Sequence, residues 1–302
     1  MRNVFSKSIL AAAQADPKVV LLTGDHGYAL FDEFRQHAPA QFINAGIAEQ
    51  NMVGVAAGLA KAGYKPIVYG LSAFVPIRVL EQIKMDVCYE NLPVVFIGDG
   101  AGVVYSSLGS SHQSTEDIAA LRCIPNISIL SPCDALEMQY AMDHALRFES
   151  PQYVRMGKSD IGSVHTETVS ATIGDLIPVT TGSNKKITFV ATGSMVKTTT
   201  ALARAAGDFS VWSVPCIKPI NESHIKAIAE ISEIIVVLEE HTIAGGLGSL
   251  ISEIVSERGN ARVIRLGVQD RFSQKCGSYE YLLKEHGINF EALLPQVMKL
   301  SM

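Results

Sequence analysis

Charged and aromatic residues are scarce in this chain, and the shortage limits what it can bind. Of its 302 residues, 18% are charged and 7% are aromatic, and the formal net charge at pH 7 is −5. This modest negative balance gives no electrostatic reason to propose nucleic acid or an anionic membrane surface as a partner. We therefore expect small-molecule substrates, no nucleic acid and no membrane.

Cysteine pairs and long apolar runs are also missing. The five cysteines are odd in number and form no Cys-x-x-Cys pair, which argues against a disulfide framework and a zinc site. No segment approaches the roughly 18 uninterrupted apolar residues of a membrane-spanning helix. Reduced, buried thiols in a cytoplasmic protein are the expected state. The cysteines are Cys88, Cys123, Cys133, Cys216 and Cys276.

The N-terminal residues imitate a signal peptide only faintly. The apolar run Ile9–Ala15 is short and lacks a leucine stretch. Val4, Ser8 and the pair Leu10 and Ala11 fit one face of a helix instead. We therefore predict that the chain begins with an amphipathic helix.

Hydrophobic residues make up 48% of the chain, and short apolar runs alternate with amphipathic segments. This alternation predicts parallel sheets covered by helices on both faces, and the chain length favours two such domains. In the first half, the predicted strands are Val19–Thr23, Gln41–Asn44, Pro66–Tyr69, Pro93–Gly98, Ile127–Leu130 and Gln152–Arg155. The predicted helices there are Glu49–Lys61, Ala73–Tyr89 and Asp134–Phe148.

The stretch Lys158–Lys186 is rich in Thr, Ser and Gly and predicts a linker. The predicted organisation is a first α/β domain over 1–160, a linker over 161–186 and a second α/β domain over 187–302. The predicted strands of the second domain are Ile187–Ala191, Phe209–Val214, Glu233–Glu239 and Ala261–Leu266. Its predicted helices are Met195–Ala206, Glu222–Ile231 and Gly246–Glu257.

One segment carries most of the functional information. Residues 44–60 read Asn-Ala-Gly-Ile-Ala-Glu-Gln-Asn-Met-Val-Gly-Val-Ala-Ala-Gly-Leu-Ala. The string places Glu49 in the first turn of a helix at the carboxyl end of a parallel strand, the edge at which such sheets bind ligands. An isolated acidic residue there would merely complement the helix dipole.

The whole string resembles the transketolase and deoxyxylulose-phosphate synthase families. The resemblance extends from Gly24-Asp25 beyond Pro132 and, more loosely, to the C-terminus, where Glu239–Thr242 and Gly245–Ser249 resemble a strand-to-helix junction of the transketolase C-terminal domain. It implies two doubly wound domains, a parallel-sheet pyrimidine-binding domain and a transketolase C-terminal-like domain. It also implies two-carbon transfer with thiamine diphosphate and Mg²⁺.

The resemblance assigns roles to four residues of the first domain. Glu49 would bond the ring nitrogen of the cofactor's aminopyrimidine and drive its change of tautomer, and Ile47 would contact the cofactor. Phe74 would stack on the aminopyrimidine ring. His112 would face the reacting carbonyl, where an imidazole can move a proton or stabilise negative charge. Alone, Phe74 would pass for a core residue, and His112 would be as compatible with a surface loop histidine as with a functional one.

Gly98-Asp99-Gly100, with Asn126 downstream, imitates a magnesium and diphosphate signature. Alignment with the family places it in the pyrimidine-binding domain, so we assign Asp99 no metal and predict no metal ligand in this chain. The metal and diphosphate are expected to be held mainly by a separate N-terminal subunit. An α2β2 assembly is the predicted form, with the Gly- and Ala-rich face Gly54–Gly63 as contact surface.

The substrate end departs from the family pattern. Leu108, Gly100 and Ser131 stand where the families carry an aspartate, a histidine and an arginine that bind substrate, and Ile77 replaces an arginine of the synthase. Arg155 matches a synthase substrate arginine, and Arg78 lies close to position 77 in sequence.

The hypothesis is therefore a substrate other than a common pentose or hexose phosphate, because charge-assisted phosphate contacts have been lost. A nucleotide-linked keto sugar and a 2-oxo acid such as pyruvate are both compatible with it. Two rival functions remain open at this point: the E1 β subunit of a 2-oxo acid dehydrogenase, and a catalytically silent paralogue that acts as a scaffold. Intact Glu49, Phe74 and His112 argue against the silent paralogue.

Overall fold

A computed structural model describes residues 1–147, 149–257 and 261–301 of the chain. Apolar runs form strands, and the amphipathic segments between them form helices. The strands are β1 Val19–Thr23, β2 Phe42–Asn44, β3 Lys65–Leu71, β4 Val95–Asp99, β5 Ser128–Leu130, β6 Gln152–Met156, β7 Ile177–Thr180, β8 Asn184–Ala191, β9 Phe209–Ser213, β10 Cys216–Lys218, β11 Ile234–Thr242 and β12 Arg262–Val268. The α-helices are α1 Arg2–Ala15, α2 Asp32–His37, α3 Glu49–Lys61, α4 Leu80–Gln82, α5 Asp117–Arg122, α6 Ala135–Ala145, α7 Met195–Gly207, α8 Glu222–Ile231, α9 Leu247–Ser256, α10 Tyr279–Glu285 and α11 Phe290–Ser301.

The first sheet has the strand order β10-β5-β6-β4-β3-β1-β2 within the described residues. Its strands are parallel except β10, which runs antiparallel to β5. Alternate residues of β1 face two different cores: Val20 and Leu22 pack with α3, and Val19 and Leu21 pack with α1 and α6. Helices therefore cover both faces of this sheet.

The second sheet has the order β12-β11-β8-β9-β7 in the same described ranges, with β7 antiparallel to β9. Phe189 and Val236 pack on the side of α7 and α11, whereas Val190 and Val237 pack on the side of α8 and α9. The predicted architecture of two α/β domains built on parallel sheets is confirmed, and both α3 and α8 have the predicted bounds.

The predicted helix Ala73–Tyr89 is wrong. The structure replaces it with a 3₁₀ turn at Ile77–Val79, the short α4 and a π-helix at Ile83–Cys88. Pro76 explains the break, because proline lacks a backbone N–H and disfavours helical geometry in the residue before it. The predicted end of the third helix at Phe148 lies outside the described residues.

Two strands lie where the sequence predicted none. Ile177–Thr180 falls inside the stretch 161–186 that was predicted as a linker, and its position at the sheet edge tolerates Pro178. Cys216–Lys218 is only three residues long and joins the first sheet. The first helix also turns a different face inward, since Phe5, Ile9 and Ala13 are buried in place of the predicted Val4–Ser8 face.

Among the residues that the structure describes, no helix combines the length and the apolar character needed to cross a membrane.

Candidate active site

Three loops of the first domain meet at one edge of its sheet. They follow β2, β3 and β4, whose carboxyl ends lie side by side because the strands between them are parallel. The loops of β1 and β2 approach so closely that a Cβ added at Gly24 would lie 2.7 Å from the carbonyl oxygen of Gly46. This close approach fixes where α3 starts, and with it the position of Glu49.

Glu49 is the first residue of α3 and is only 5% exposed. Its carboxylate Oε2 accepts a hydrogen bond of 3.1 Å from the Nη1 of Arg78. A carboxylate at this position also gains from the positive end of the helix dipole. The structure therefore holds a buried acidic group at the ligand-binding edge of the sheet.

Arg78 also contacts an aromatic ring of the same cluster. The carbon at the centre of its guanidinium lies 3.9 Å from the centroid of the Phe74 ring, a cation–π contact. Phe74 and Arg78 are four residues apart in the turn after β3, and the Arg78 side chain is 45% exposed. Glu49, Phe74 and Arg78 thus form one connected group.

His112 completes the cluster from the loop after β4. Its ring meets Phe74 edge-on, with 5.3 Å between the centroids, and its Nδ1 lies 3.0 Å from the hydroxyl of Ser111. The ring of His26 is also near Phe74, with 5.9 Å between the two ring centroids. Beside them opens a cavity of about 500 Å³, lined among others by Arg2, Asp25, His26, Tyr28, Tyr105, Leu108 and His112.

Of the residues assigned from the sequence, the structure brings Glu49, Phe74 and His112 together. Ile47 lies in the loop just before α3 and is 75% exposed, so its side chain is available to a ligand or to another chain. Leu108 is exposed at the rim of the cavity.

Arg155 lies apart from this cluster. Its side chain is 2% exposed, its Nε donates to Asp117 at 2.8 Å, and its Nη2 donates to the backbone carbonyl of Glu240 at 2.8 Å. Tyr153 donates to the same Asp117 carboxylate. Arg155 has no surface from which to reach a substrate, so the substrate role predicted from the sequence has no support in this geometry.

Asp117, Arg155, Glu240 and His241 form a buried junction cluster between the two domains. The carboxylate of Glu240 accepts from the backbone N–H of Val103 at 2.7 Å and from the hydroxyl groups of Ser194 and Tyr279. Burial raises the pKa of Glu240. Arg155 bonds Asp117 of the first domain and the backbone of Glu240 in the second, and the Glu240 carboxylate bonds Val103 of the first, so these contacts join the two domains.

His241 is held in its neutral form within the junction cluster. Its Nδ1 lies 2.7 Å from the carbonyl oxygen of Thr242, and its Nε2 accepts from the backbone N–H of Ala119 at 3.2 Å. Since a protonated ring would aim a second N–H at the Ala119 donor, this geometry favours the neutral form. Burial lowers the pKa of His241 to about 4.

The neighbouring Glu239 points to the same side of β11 as His241, and its Oε2 lies 3.7 Å from the His241 Nδ1. It accepts from the backbone N–H groups of Leu247 and Gly248 at 2.8 and 2.9 Å and so caps the start of α9. Burial raises its pKa to about 7, against the effect of these two hydrogen bonds. The glycine-rich start of α9 thus carries the chain's own carboxylate, so its role is structural.

The Gly98-Asp99-Gly100 string and Asn126 do not converge. Asp99 is 2% exposed and accepts hydrogen bonds from Arg2, from Tyr69 at 2.8 Å and from Tyr105 at 3.0 Å. Asn126 donates elsewhere, to the backbone carbonyl of Cys88 at 2.9 Å. Asp99 and Asn126 therefore make structural contacts within the first domain and do not form a metal site together.

Cys133, Glu137 and His165 place atoms of metal-ligand type within 4.8 Å of one another, away from the candidate site. Glu137 already accepts from the backbone N–H of Cys133 and lies 2.8 Å from the His165 ring nitrogen. This hydrogen bond with Glu137 raises the pKa of His165. The trio ties the segment after the first domain to the start of α6.

Two residues of the cluster were not assigned from the sequence. His26 comes three residues after β1, at the same strand edge as the assigned residues, and that position could have identified it. Arg78 was noted only for its nearness to position 77, although its four-residue spacing from Phe74 suggests a shared side of the turn.

Comparisons with known proteins agree with this picture. The chain matches the transketolase pyrimidine binding domain over residues 1–163 and the transketolase C-terminal domain over 179–293. It is 31% identical to a subunit of the apulose-4-phosphate transketolase from Actinobacillus succinogenes, over 100% of this chain and 98% of that protein. It is 30% identical to a 6-deoxy-6-sulfo-D-fructose transketolase subunit from a Clostridium species, over 97% of this chain and 92% of that protein.

A solved structure gives the same result at the level of the fold. A split-gene transketolase, described as an inactive β4 tetramer, superposes with a TM-score of 0.86 and 30% identity, covering 99% of this chain and 97% of that chain. Sequence and fold therefore agree over both domains. The chain belongs to the transketolase family and carries its pyrimidine-binding and C-terminal domains.

Proposed function

We propose that this chain is the C-terminal subunit of a thiamine diphosphate-dependent transketolase, which transfers a two-carbon ketol unit to an aldehyde acceptor. The observation that carries the proposal is the buried carboxylate of Glu49, which Arg78 links to the Phe74 ring, with the His112 ring edge-on to Phe74. The family of the chain and the names of its relatives support the same chemistry.

The residues present fit the pyrimidine half of this cofactor. Glu49 offers a buried acceptor at a helix start, Phe74 offers a ring face that already carries a planar group, and Ile47 offers exposed apolar surface. When bound, the cofactor supplies a nucleophilic carbon centre. In this proposal, Glu49 holds a proton at the pyrimidine ring nitrogen, and His112 holds or moves a proton at the reacting oxygen.

The remaining half of the site belongs to a partner in this proposal. An N-terminal transketolase subunit would bind the diphosphate and Mg²⁺ and complete an α2β2 assembly in the cytoplasm. One face of α3 supports the contact: Val55 is 39% exposed, and a Cβ added at Gly54 or Gly58 would meet nothing of this chain within 4 Å. These glycines are thus not required by the packing of this chain itself.

The proposed substrate is a sugar phosphate or sulfonate other than the common pentose phosphates. The relatives are named for apulose 4-phosphate and for 6-deoxy-6-sulfo-D-fructose. Leu108 at the rim of the cavity cannot bond a substrate hydroxyl as the aspartate of the usual pattern would. Because the family's phosphate-binding residues are replaced in this chain, other residues must bind the phosphate or sulfonate group of the substrate.

Glu49→Gln tests the chemistry. Glutamine keeps the size of the side chain but cannot exchange a proton, so the activity of the chain reconstituted with its N-terminal subunit should fall by about 10²–10⁴-fold. The unfolding midpoint should change little. The measurement is ketol transfer together with thiamine diphosphate binding by calorimetry, and retained activity in the variant would remove Glu49 from the mechanism.

A substrate comparison tests the proposed specificity. The reconstituted enzyme should use a branched or sulfonated ketose with a higher kcat/KM than xylulose 5-phosphate with ribose 5-phosphate. A preference for the common pentose phosphates would contradict the substrate proposal and leave the cofactor proposal intact. Size-exclusion chromatography of the same sample shows whether the two chains associate.

A further inference from the structure

We propose that Arg78 is an internal competitor of the cofactor: its guanidinium occupies the place of the aminopyrimidine ring and must move before thiamine diphosphate can bind. The inference rests on the function proposed above and adds to it a residue that sets cofactor affinity. It is carried by the contacts that Arg78 makes with Glu49 and Phe74.

A single planar group satisfies both of the residues assigned to the aminopyrimidine. Arg78 donates to Glu49 Oε2 at 3.1 Å, and the same guanidinium lies 3.9 Å from the centre of the Phe74 ring. A guanidinium is a flat, delocalised N–H donor that stacks on aromatic rings and bonds carboxylates. An aminopyrimidine combines a flat ring with nitrogen atoms that bond a carboxyl group, so both groups fit the same two contacts.

The guanidinium of Arg78 and the aminopyrimidine ring cannot both contact Glu49 and Phe74 at the same time. A ring that stacks on Phe74 and bonds Glu49 must lie where the guanidinium lies, because one side chain makes both contacts at van der Waals and hydrogen-bond distance. Arg78 therefore has to withdraw when the cofactor enters. The affinity for the cofactor is then reduced by the free energy of the contacts that are lost.

Arg78 is placed so that it can withdraw. Its side chain is 45% exposed, whereas the buried Arg155 is 2% exposed and is bonded to Asp117 and to a backbone carbonyl. When Arg78 leaves, its half-exposed guanidinium regains water, and the nearly buried carboxylate of Glu49 receives the cofactor ring as its new partner. Neither group is then left unpaired, so the cofactor can offset the loss of the Arg78 contacts.

The contact also has a use while no cofactor is bound. Glu49 is nearly buried at the helix start, and a buried carboxylate without a partner destabilises a fold. Arg78 supplies that partner and covers the Phe74 ring. The subunit thus has a satisfied carboxylate before assembly and exchanges its internal partner for the cofactor afterwards.

The test is the dissociation constant of thiamine diphosphate, measured by titration calorimetry with Mg²⁺ and the reconstituted N-terminal subunit. Arg78→Met keeps an unbranched apolar chain and removes the cation, so the dissociation constant should fall on the order of tenfold. Arg35→Met is the matched control, because Arg35 also pairs with a carboxylate, Asp32, and lies 5.6 Å from a phenylalanine ring centroid, that of Phe42. It should leave the constant unchanged.

Arg78→Lys gives a second measurement. Lysine keeps the charge and loses the planar stack, so we expect a smaller decrease in the dissociation constant of thiamine diphosphate. If Arg78→Met does not fold, this variant provides the test in its place. An unchanged or raised dissociation constant in a folded Arg78 variant overturns the inference alone. If wild type and both variants show no binding of thiamine diphosphate, the proposed function fails and this inference fails with it.

Discussion

The chain contains two clusters of acidic, basic and imidazole groups that look alike by residue type and differ in their surroundings. In the candidate active site, the Glu49 carboxylate has one hydrogen-bond partner among the described residues, Arg78, whose guanidinium is half exposed. In the junction cluster, Arg155 and Asp117 are both buried, and each has at least two partners. The first cluster can exchange its contacts for those of a ligand, and the second cannot.

This difference follows from the cost of leaving a buried charge unpaired. At Glu49 the partner is half exposed, so the departing guanidinium regains water and an incoming ligand can take its place on the carboxylate. A group whose partners are all buried loses several kcal/mol. The comparison shows that the type of residue at a strand end does not identify a functional site, whereas its burial and its remaining bonding capacity do.

The largest effect is expected when the junction cluster is broken. Arg155→Met removes the guanidinium and leaves the carboxylate of Asp117 buried with Tyr153 as its remaining side-chain donor. The free energy of unfolding should fall by about 3–5 kcal/mol. Urea unfolding followed by circular dichroism measures this change.

Arg78→Met is the matching substitution in the candidate site, and it should lower the free energy of unfolding by less than Arg155→Met does, because only the Arg78 end of its pair is half exposed to water. Comparing the unfolding free energies of the two variants distinguishes a structural arginine, Arg155, from an arginine that a ligand displaces, Arg78. If Arg155→Met kept wild-type stability and raised the KM for the sugar substrate, Arg155 would be a substrate residue and the comparison would be wrong.

The fold could be predicted largely from hydrophobic patterning. The buried run Val19–Thr23 and the small-residue helix Glu49–Lys61 have the predicted bounds because local sequence and tertiary packing agree there. The predicted helix Ala73–Tyr89 followed the apolar periodicity and did not take account of Pro76, which is a local signal for a break. Local pattern could not reveal that Cys216–Lys218 returns to the first sheet, since three residues carry too little periodicity.

The site could be predicted only in part. Glu49, Phe74 and His112 each follow a parallel strand, which predicts that they lie at one edge, but the family resemblance was needed to select them among the residues there. Arg155 also lies near a strand's carboxyl end, but its burial depends on Asp117 and on Glu240 of the other domain. Such contacts between distant segments leave no signal in a single sequence.

A smaller effect should appear in the pH dependence of stability. His241 has a folded-state pKa of about 4, lowered by burial from an ordinary value of 6.5, with Asp117 and Arg155 acting on it in opposite directions. Between those values the unfolded chain takes up a proton that the folded chain excludes, so acid destabilises the fold. The contribution lost by pH 4 is roughly 3 kcal/mol. His241→Gln should therefore flatten the fall in unfolding free energy between pH 7 and pH 5.

A histidine with the opposite shift provides the control. The hydrogen bond with Glu137 raises the pKa of His165, so His165 stabilises the fold fully below its unfolded pKa and loses this contribution as pH rises through the folded pKa. His165→Gln should therefore destabilise the chain more at pH 6 than at pH 8, the reverse of His241→Gln. Because the other titrating groups are shared by wild type and both variants, the differences in urea midpoint report the two histidines together with any change at Glu239, whose Oε2 lies 3.7 Å from the His241 Nδ1. If the two variants shifted the pH profile in the same direction, neither shift could arise from the local contacts, and the junction cluster would lose its distinction from the rest of the molecule.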